Sequence, residues 1–239
     1  MTRRTEGHPL AFLAPERMNW FKRLRLFRRA LTDSNGRLLK TYMLENHRPK
    51  LQIGGGSRLL NGWLNTDITL AGGVFYMDAT AKFPFKDNVF EYIFTEHMIE
   101  HVGFDEGRAM LRECHRVLKP GGAIRVVTPD LARLAVIYNG DGPPAADDYF
   151  TFFRQHFVPE GQPATRAAIA NSFVRSWGHQ FIYDEETLRA LLEGCGFTGM
   201  VRQRLGQSDH AELGGLEHES RYPPGLLDYE SVALEATKR

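Results

Sequence analysis

A doubly wound α/β domain on a seven-stranded, mostly parallel sheet is the fold this sequence predicts, and three observations carry the prediction. From Lys50 onward, short apolar runs alternate with helical patterns, the order that parallel strands and their crossover helices produce. Three consecutive glycines, Gly54 to Gly56, directly follow the first of those runs. The 239 residues are 42% hydrophobic and 25% charged, ordinary values for a globular chain with room for a sizeable core.

The elements follow in order. Residues 1–48 read as an N-terminal helical extension to a main domain of residues 49–239. Residues 1–16, with Pro9 and Pro15, show little periodicity and are expected to be loose. From Arg17 to Leu31, RMNWFKRLRLFRRAL sets Trp20, Phe21, Leu24, Phe27 and Leu31 on one helical stripe among basic residues. Asn35-Gly36 ends that helix, and RLLKTYMLEN reads as a second. Strands are expected near 50–54, 63–68, 74–78, 91–96 and 123–128. Between the last two, Met110, Leu111, Cys114, Val117 and Leu118 share a helix face, and Pro120-Gly121-Gly122 stops the helix. Residues 131–180 interrupt the alternation with helical stretches, two loops and dense aromatics, an insert suited to a lid over a substrate. A helix opened by Asp184 and closed by Gly194 and Gly196 comes next, then strands near 197–205 and 231–237. The gap between those two strands is too long for a tight hairpin and reads as a functional loop.

Composition narrows the function. No run of about 18 apolar residues exists to span a membrane, and no signal peptide is recognisable at the N-terminus. The two cysteines, Cys114 and Cys195, each fall in a helical pattern; they are too few for a zinc site and suit a reducing, cytoplasmic setting. Residues 1–50 carry 12 Lys/Arg against 4 Asp/Glu, while the remainder is acidic. The basic helix of residues 17–31 can therefore pack on its own domain or rest on an anionic membrane surface. Nucleic acid is not indicated, since no recognised motif accompanies the charge.

Glycines placed right after a first parallel strand let a ligand approach the backbone, and an acidic residue ending the second strand can accept both hydroxyls of a ribose. Gly54, Gly55, Gly56 and Asp67 occupy those places. A plain strand-to-loop turn explains the glycines equally well, and no GxGxxG dinucleotide fingerprint is present.

A longer ordered series separates these readings. MDATAKFPFKDNVFEYIFTEHMIEHV, from Met77 to Val102, precedes LRECHRVLKPGGAIRVVTPD and later GHQFIYDEETLRALLEGCGF. Together they resemble the class I S-adenosylmethionine-dependent methyltransferases, in particular the methyltransferase 11-like branch, over roughly Lys50 to Val201. The resemblance implies a Rossmann-like seven-stranded sheet whose last strand, SVALEATK, is antiparallel. It further implies S-adenosylmethionine as cofactor and S-adenosylhomocysteine as product. By position, Gly54, Gly55 and Gly56 would approach the methionine and ribose portion, and Asp67 would hold the ribose hydroxyls. Asp78 and the Ala79 backbone would face the adenine, while Glu96 and His97 would line the wall near the sulfonium.

Two departures from that pattern stand out. Gln52 replaces the acidic residue common two positions before the first glycine, so no charge is there to hold an ammonium. Only a few residues separate Gly56 from Leu64, leaving no room for the usual crossover helix, so a loop or single turn is expected. Methyl transfer needs alignment and at times a base, and His101 and His179 are the candidates. EHMIEH spaces His97 and His101 four apart, but its order is not HExxH, and no metal is expected. The acceptor is expected to be a small molecule or a glycan, methylated at oxygen. A non-catalytic binding or scaffold protein of the same fold is the alternative, kept open by Gln52, the short crossover and the basic helix.

Overall fold

The computed structural model describes residues 33–69, 71–140, 142–158, 161, 163–218 and 222–239. The predicted loose segment 1–16 and basic helix 17–31 lie outside the described residues. Seven strands form one sheet: β1 (Lys50–Ile53), β2 (Leu64–Asp67), β3 (Phe75–Tyr76), β4 (Phe90–Glu96), β5 (Leu118–Pro129), β6 (Phe197–Gln203) and β7 (Ser231–Lys238). Their spatial order is β3-β2-β1-β4-β5-β7-β6. The pairs β1–β2, β1–β4, β2–β3 and β4–β5 are parallel, and β7 runs antiparallel to both β5 and β6. The strand sequence turns from descending to ascending at β1 and β4, and ligands of open α/β sheets bind in the crevice at such a switch point.

The helices are α1 (Asp33–Glu45), α2 (Phe104–Val117), α3 (Leu131–Asn139), α4 (Pro144–His156), α5 (Arg166–Arg175), α6 (Glu185–Gly194) and α7 (Leu226–Glu230). Each predicted strand forms, but two helix boundaries differ from expectation. Asn35-Gly36 lies inside α1 instead of ending a helix before it. There the Asn35 amide donates to Tyr76 O and accepts from Tyr76 N, closing the open edge of β3. Leu118, expected on a helix face, begins β5, so Pro120-Gly121-Gly122 falls within the strand.

One face of the sheet carries α1, α2 and α6. Leu51 and Ile53 of β1, Ile93 of β4 and Ile124 of β5 pack there on Met110, Leu111, Cys114 and Val117 of α2 and Leu188 and Leu192 of α6. Each fully buried side chain of this kind contributes roughly 1.5–3 kcal/mol relative to exposure. The opposite face packs Trp63, Phe94, Leu205, Leu213 and Leu227, supplied largely by loops. The β1–β2 connection is indeed free of helix, and Trp63 at its end fills the space against Phe94 with ring centroids 6.3 Å apart. Arg125 of β5 is fully buried on that face, paired with Glu235 of β7 at 2.6 Å and Glu217 at 2.5 Å. It also donates to the carbonyls of Gln207 and Arg204. These bonds fix the long segment between β6 and α7 to the sheet. The insert, α3 to α5 with α7, has its own apolar core around Tyr149, Phe153, Ile169 and Phe173.

Candidate active site

The crevice at the switch point is built from consecutive strand ends. Gly54, Gly55 and Gly56 follow β1, Asp67 ends β2, Asp78 lies just past β3, and Glu96 ends β4. Gly54 and Gly56 have φ of +68° and +58°, a region open to glycine at no steric cost. The three glycines have different neighbours. The Met98 side chain occupies the place a Cβ on Gly54 would take, and Gln52 lies against that of Gly55; only at Gly56 does this direction face open space. Asp67 Oδ2 accepts from Gly56 N at 2.8 Å and Oδ1 from Thr69 N at 2.7 Å. Each oxygen keeps a further lone pair for a hydroxyl donor. Asp78 Oδ1 accepts from the backbone and hydroxyl of Thr80. Glu96 Oε2 lies 3.3 Å from the Arg58 guanidinium, and its Oε1 accepts from His218 N at 2.9 Å. Gln52 Oε1 is buried with no hydrogen-bond partner, an orphaned acceptor beneath the glycine loop that a cationic donor would satisfy. The glycines, the carboxylate at the end of β2 and this orphaned acceptor fit a nucleoside bearing an ammonium group.

A second concavity adjoins the first through His97. Its lining includes Tyr149, Phe153, Phe157, Trp177 and Tyr222, with His97, His101, His179 and Glu230 as its polar groups. It lies between the ends of β4 and β5 and the helical insert. Two non-glycine residues on this cavity, His97 at φ +49° and Trp177 at φ +57°, hold a left-handed backbone. Such conformations are costly and persist where the surroundings impose them. His97 is held by its N–H donating to Val127 O at 2.9 Å.

Behind the histidines lies Glu100, fully buried in a single 3₁₀ turn after β4. Thr128 Oγ1 donates to its Oε2 at 3.0 Å, and His97 Nδ1 lies 3.3 Å from its Oε1. Gln180 N donates to the Glu100 carbonyl at 2.7 Å, and the Gln180 side chain donates to His101 O, tying this turn to the end of the insert. Burial alone would raise the Glu100 pKa, yet the imidazole of His97 beside it and the charges of His97, His101 and His179 bring it down to about 2. His179 moves the other way: burial lowers its pKa and favours the neutral ring. Its Nδ1 lies 2.7 Å from Phe173 O, so Nδ1 carries the proton and Nε2 keeps its lone pair. The rings of His101 and His179 meet edge to face with centroids 5.0 Å apart.

Sequence reasoning named His101 and His179 separately, and the fold brings them together. It singled out neither Glu100 nor Glu230, whose carboxylate accepts a hydrogen bond from Tyr149. Arg58, on the helix-free crossover, was also missed. Glu230 could have been found as an acidic residue directly before the last strand. The Arg58 contact has no local signal, because it joins positions 38 apart. In the long loop between β6 and α7, His210 packs edge-on to Tyr92 and Glu212 pairs with Arg48, and neither lines this cavity.

The strand order, the glycine loop at the switch point and a match to a methyltransferase domain agree with an S-adenosylmethionine-dependent methyltransferase. Residues 64–126, from β2 through most of β5, match the model of the methyltransferase domain family, within the stretch whose sequence resembles that family. Among solved structures, a methyltransferase from Archaeoglobus fulgidus is 15% identical, with 85% of this chain and 92% of that one covered and a TM-score of 0.48. A methyltransferase from Thermotoga maritima is 20% identical, with 92% and 95% covered and a TM-score of 0.47. Phosphoethanolamine N-methyltransferase 2 from Haemonchus contortus is 14% identical, with 92% and 53% covered and a TM-score of 0.46. No curated protein matches the chain. Among the described residues, no helix is long and apolar enough to cross a membrane.

Proposed function

We propose that this enzyme methylates an oxygen of a small aromatic molecule held between the sheet and the helical insert. The observation that carries this reading is the cavity beside Glu96, walled by aromatic rings and floored by histidines. Its described lining contains no Asn, Gln, Asp, Arg or Lys, the side chains that usually satisfy a sugar's many hydroxyls. A flat aromatic acceptor suits it better than a glycan, because ring faces and edges favour offset and edge-on packing.

In this reading Gly54, Gly55 and Gly56 approach the methionine and ribose portion of the cofactor, with Gln52 Oε1 as an acceptor for its ammonium. Asp67 takes the ribose hydroxyls, Asp78 and the Ala79 backbone take the adenine, and Glu96 and His97 form the wall near the sulfonium. When bound, S-adenosylmethionine supplies an electrophilic methyl whose bond to sulfur breaks as the acceptor oxygen attacks, the electron pair staying on sulfur. The chain's part is alignment and proton removal. His179 Nε2 receives the hydroxyl proton, His101 orients the oxygen, and the Glu100 carboxylate stabilises the imidazolium that forms.

Calorimetric titration with S-adenosylhomocysteine, followed by turnover with phenols and with sugars, tests the reading. Trp177→Ala is expected to raise the acceptor KM several-fold while leaving S-adenosylhomocysteine affinity unchanged. Turnover of sugars but not phenols would overturn the acceptor class. Loss of cofactor binding in Trp177→Ala would overturn the division into two cavities.

A further inference from the structure

Two imidazoles and one carboxylate converge where the sequence suggested no metal. The ligand-capable atoms of Glu100, His101 and His179 all lie within 4.8 Å of one another. Each is held from behind, as ligands of a metal usually are. His179 gives its Nδ1 proton to Phe173 O, Thr128 donates to Glu100 Oε2, and the His101 backbone is tied to Gln180. Glu100 Oε1 points among the rings, fully buried, with no hydrogen bond of good geometry. A carboxylate oxygen so placed is costly unless something cationic meets it. His97 Nδ1, 3.3 Å away, offers a proton from one side only.

We infer that Glu100, His101 and His179 bind a divalent first-row transition ion, zinc or one of similar preference, with its remaining coordination positions open to the acceptor cavity. Two imidazoles select such ions over magnesium and calcium, which favour all-oxygen sites. Around a tetrahedral ion with bonds of ~2.0–2.2 Å the ligand atoms sit roughly 3.3 Å apart, so each imidazole swings inward by about an ångström. The inference rests on the proposed acceptor reading and specifies how the acceptor oxygen is activated. The cation draws the hydroxyl oxygen into its open position, and the hydroxyl proton passes to water at the cavity mouth. With no cation, His179 takes that proton itself.

The test uses the tag-free, full-length chain stripped of metal by chelation. Titration with zinc chloride, followed by calorimetry, is expected to give one site of micromolar affinity or tighter, and cobalt(II) an absorption band of the bound ion. His101→Ala and His179→Ala should each weaken zinc by at least about tenfold, with unchanged far-UV circular dichroism and unchanged S-adenosylhomocysteine affinity. Magnesium should not compete. Absence of a stoichiometric site, or zinc binding that both variants leave intact, would overturn the inference. So would turnover that a chelator leaves unchanged, and in that case methyl transfer itself would stand. Failure to bind S-adenosylhomocysteine would instead overturn the functional reading, because that titration needs no metal.

Discussion

At the scale of single residues, the two ends of the site respond to different measurements. Asp67 holds the glycine loop through Gly56 N, and the proposed function gives it the ribose hydroxyls. Asp67→Ala should weaken S-adenosylhomocysteine by about 10- to 100-fold, the worth of charge-assisted hydrogen bonds at ~1.5–3 kcal/mol. Calorimetry on the folded variant checks this, and unchanged affinity would remove the ribose assignment. His179 titrates below the ordinary histidine value because it is buried. A base must be unprotonated, so in metal-stripped enzyme, where His179 takes the proton, kcat/KM should be flat above about pH 6.5 and fall only as pH drops below the usual histidine range. A limb centred above pH 7 would point to another group. Gly54 illustrates why residue roles resist reading from sequence. Its lack of a Cβ makes room for Met98, a neighbour from beyond β4 that no local pattern announces.

Elements were far more legible than their contacts. Strand and helix periods are local, so the alternation after Lys50 foretold the strands, and Asp184 does cap α6 by accepting from Thr187 N at 2.8 Å. Boundaries erred where tertiary contacts overrode local propensity, as at Asn35, whose amide serves the β3 edge instead of breaking a helix. Helix α2 is joined to the turn before β4 by Glu113, which accepts from Phe83 N and pairs with Arg116. The Arg116 hydrogen bond lowers the Glu113 pKa below 4.5. A depressed carboxylate stabilises the fold above its unfolded pKa and loses that contribution as pH falls through the folded one. Glu113→Gln should therefore lower stability at pH 7 and flatten its decline below about pH 4.5, measured by urea unfolding across pH. On the other face, Arg125→Ala strands Glu217 and Glu235 in the interior and should cost ~3–5 kcal/mol. A change within 1 kcal/mol would mean the cluster is hydrated.

Across the whole molecule, the two cysteines report on the integrity of the helical face. Cys114 is fully buried and Cys195 nearly so, and burial raises the pKa of both thiols. Neither should react with a thiol reagent in the native protein, and both should react on unfolding. Rapid native labelling of Cys114 would show that α2 opens. The aromatic-walled cavity is the least legible part at this scale. Its walls come from the turn after β4, the end of β5, the insert, the loop before α7 and the last residue of α7, and periodicity says which face a residue occupies without saying which distant residue it meets. Thus the aromatics of residues 131–180 were visible as a cluster, while their pairing with Glu230 was not.

The placement of β7 between β5 and β6 also has a consequence in time. Leu51 and Ile93 of the parallel half pair across 42 positions, but Arg125 must find Glu235 across 110. Contacts so far apart in the chain form slowly. Strand β6 touches the sheet only through β7, so it docks no earlier. The nucleoside crevice, framed by β1 to β4, can therefore mature first. The proposed acceptor cavity waits for Glu230 to arrive just ahead of β7, and a newly made chain should recognise its cofactor before it can hold anything to methylate.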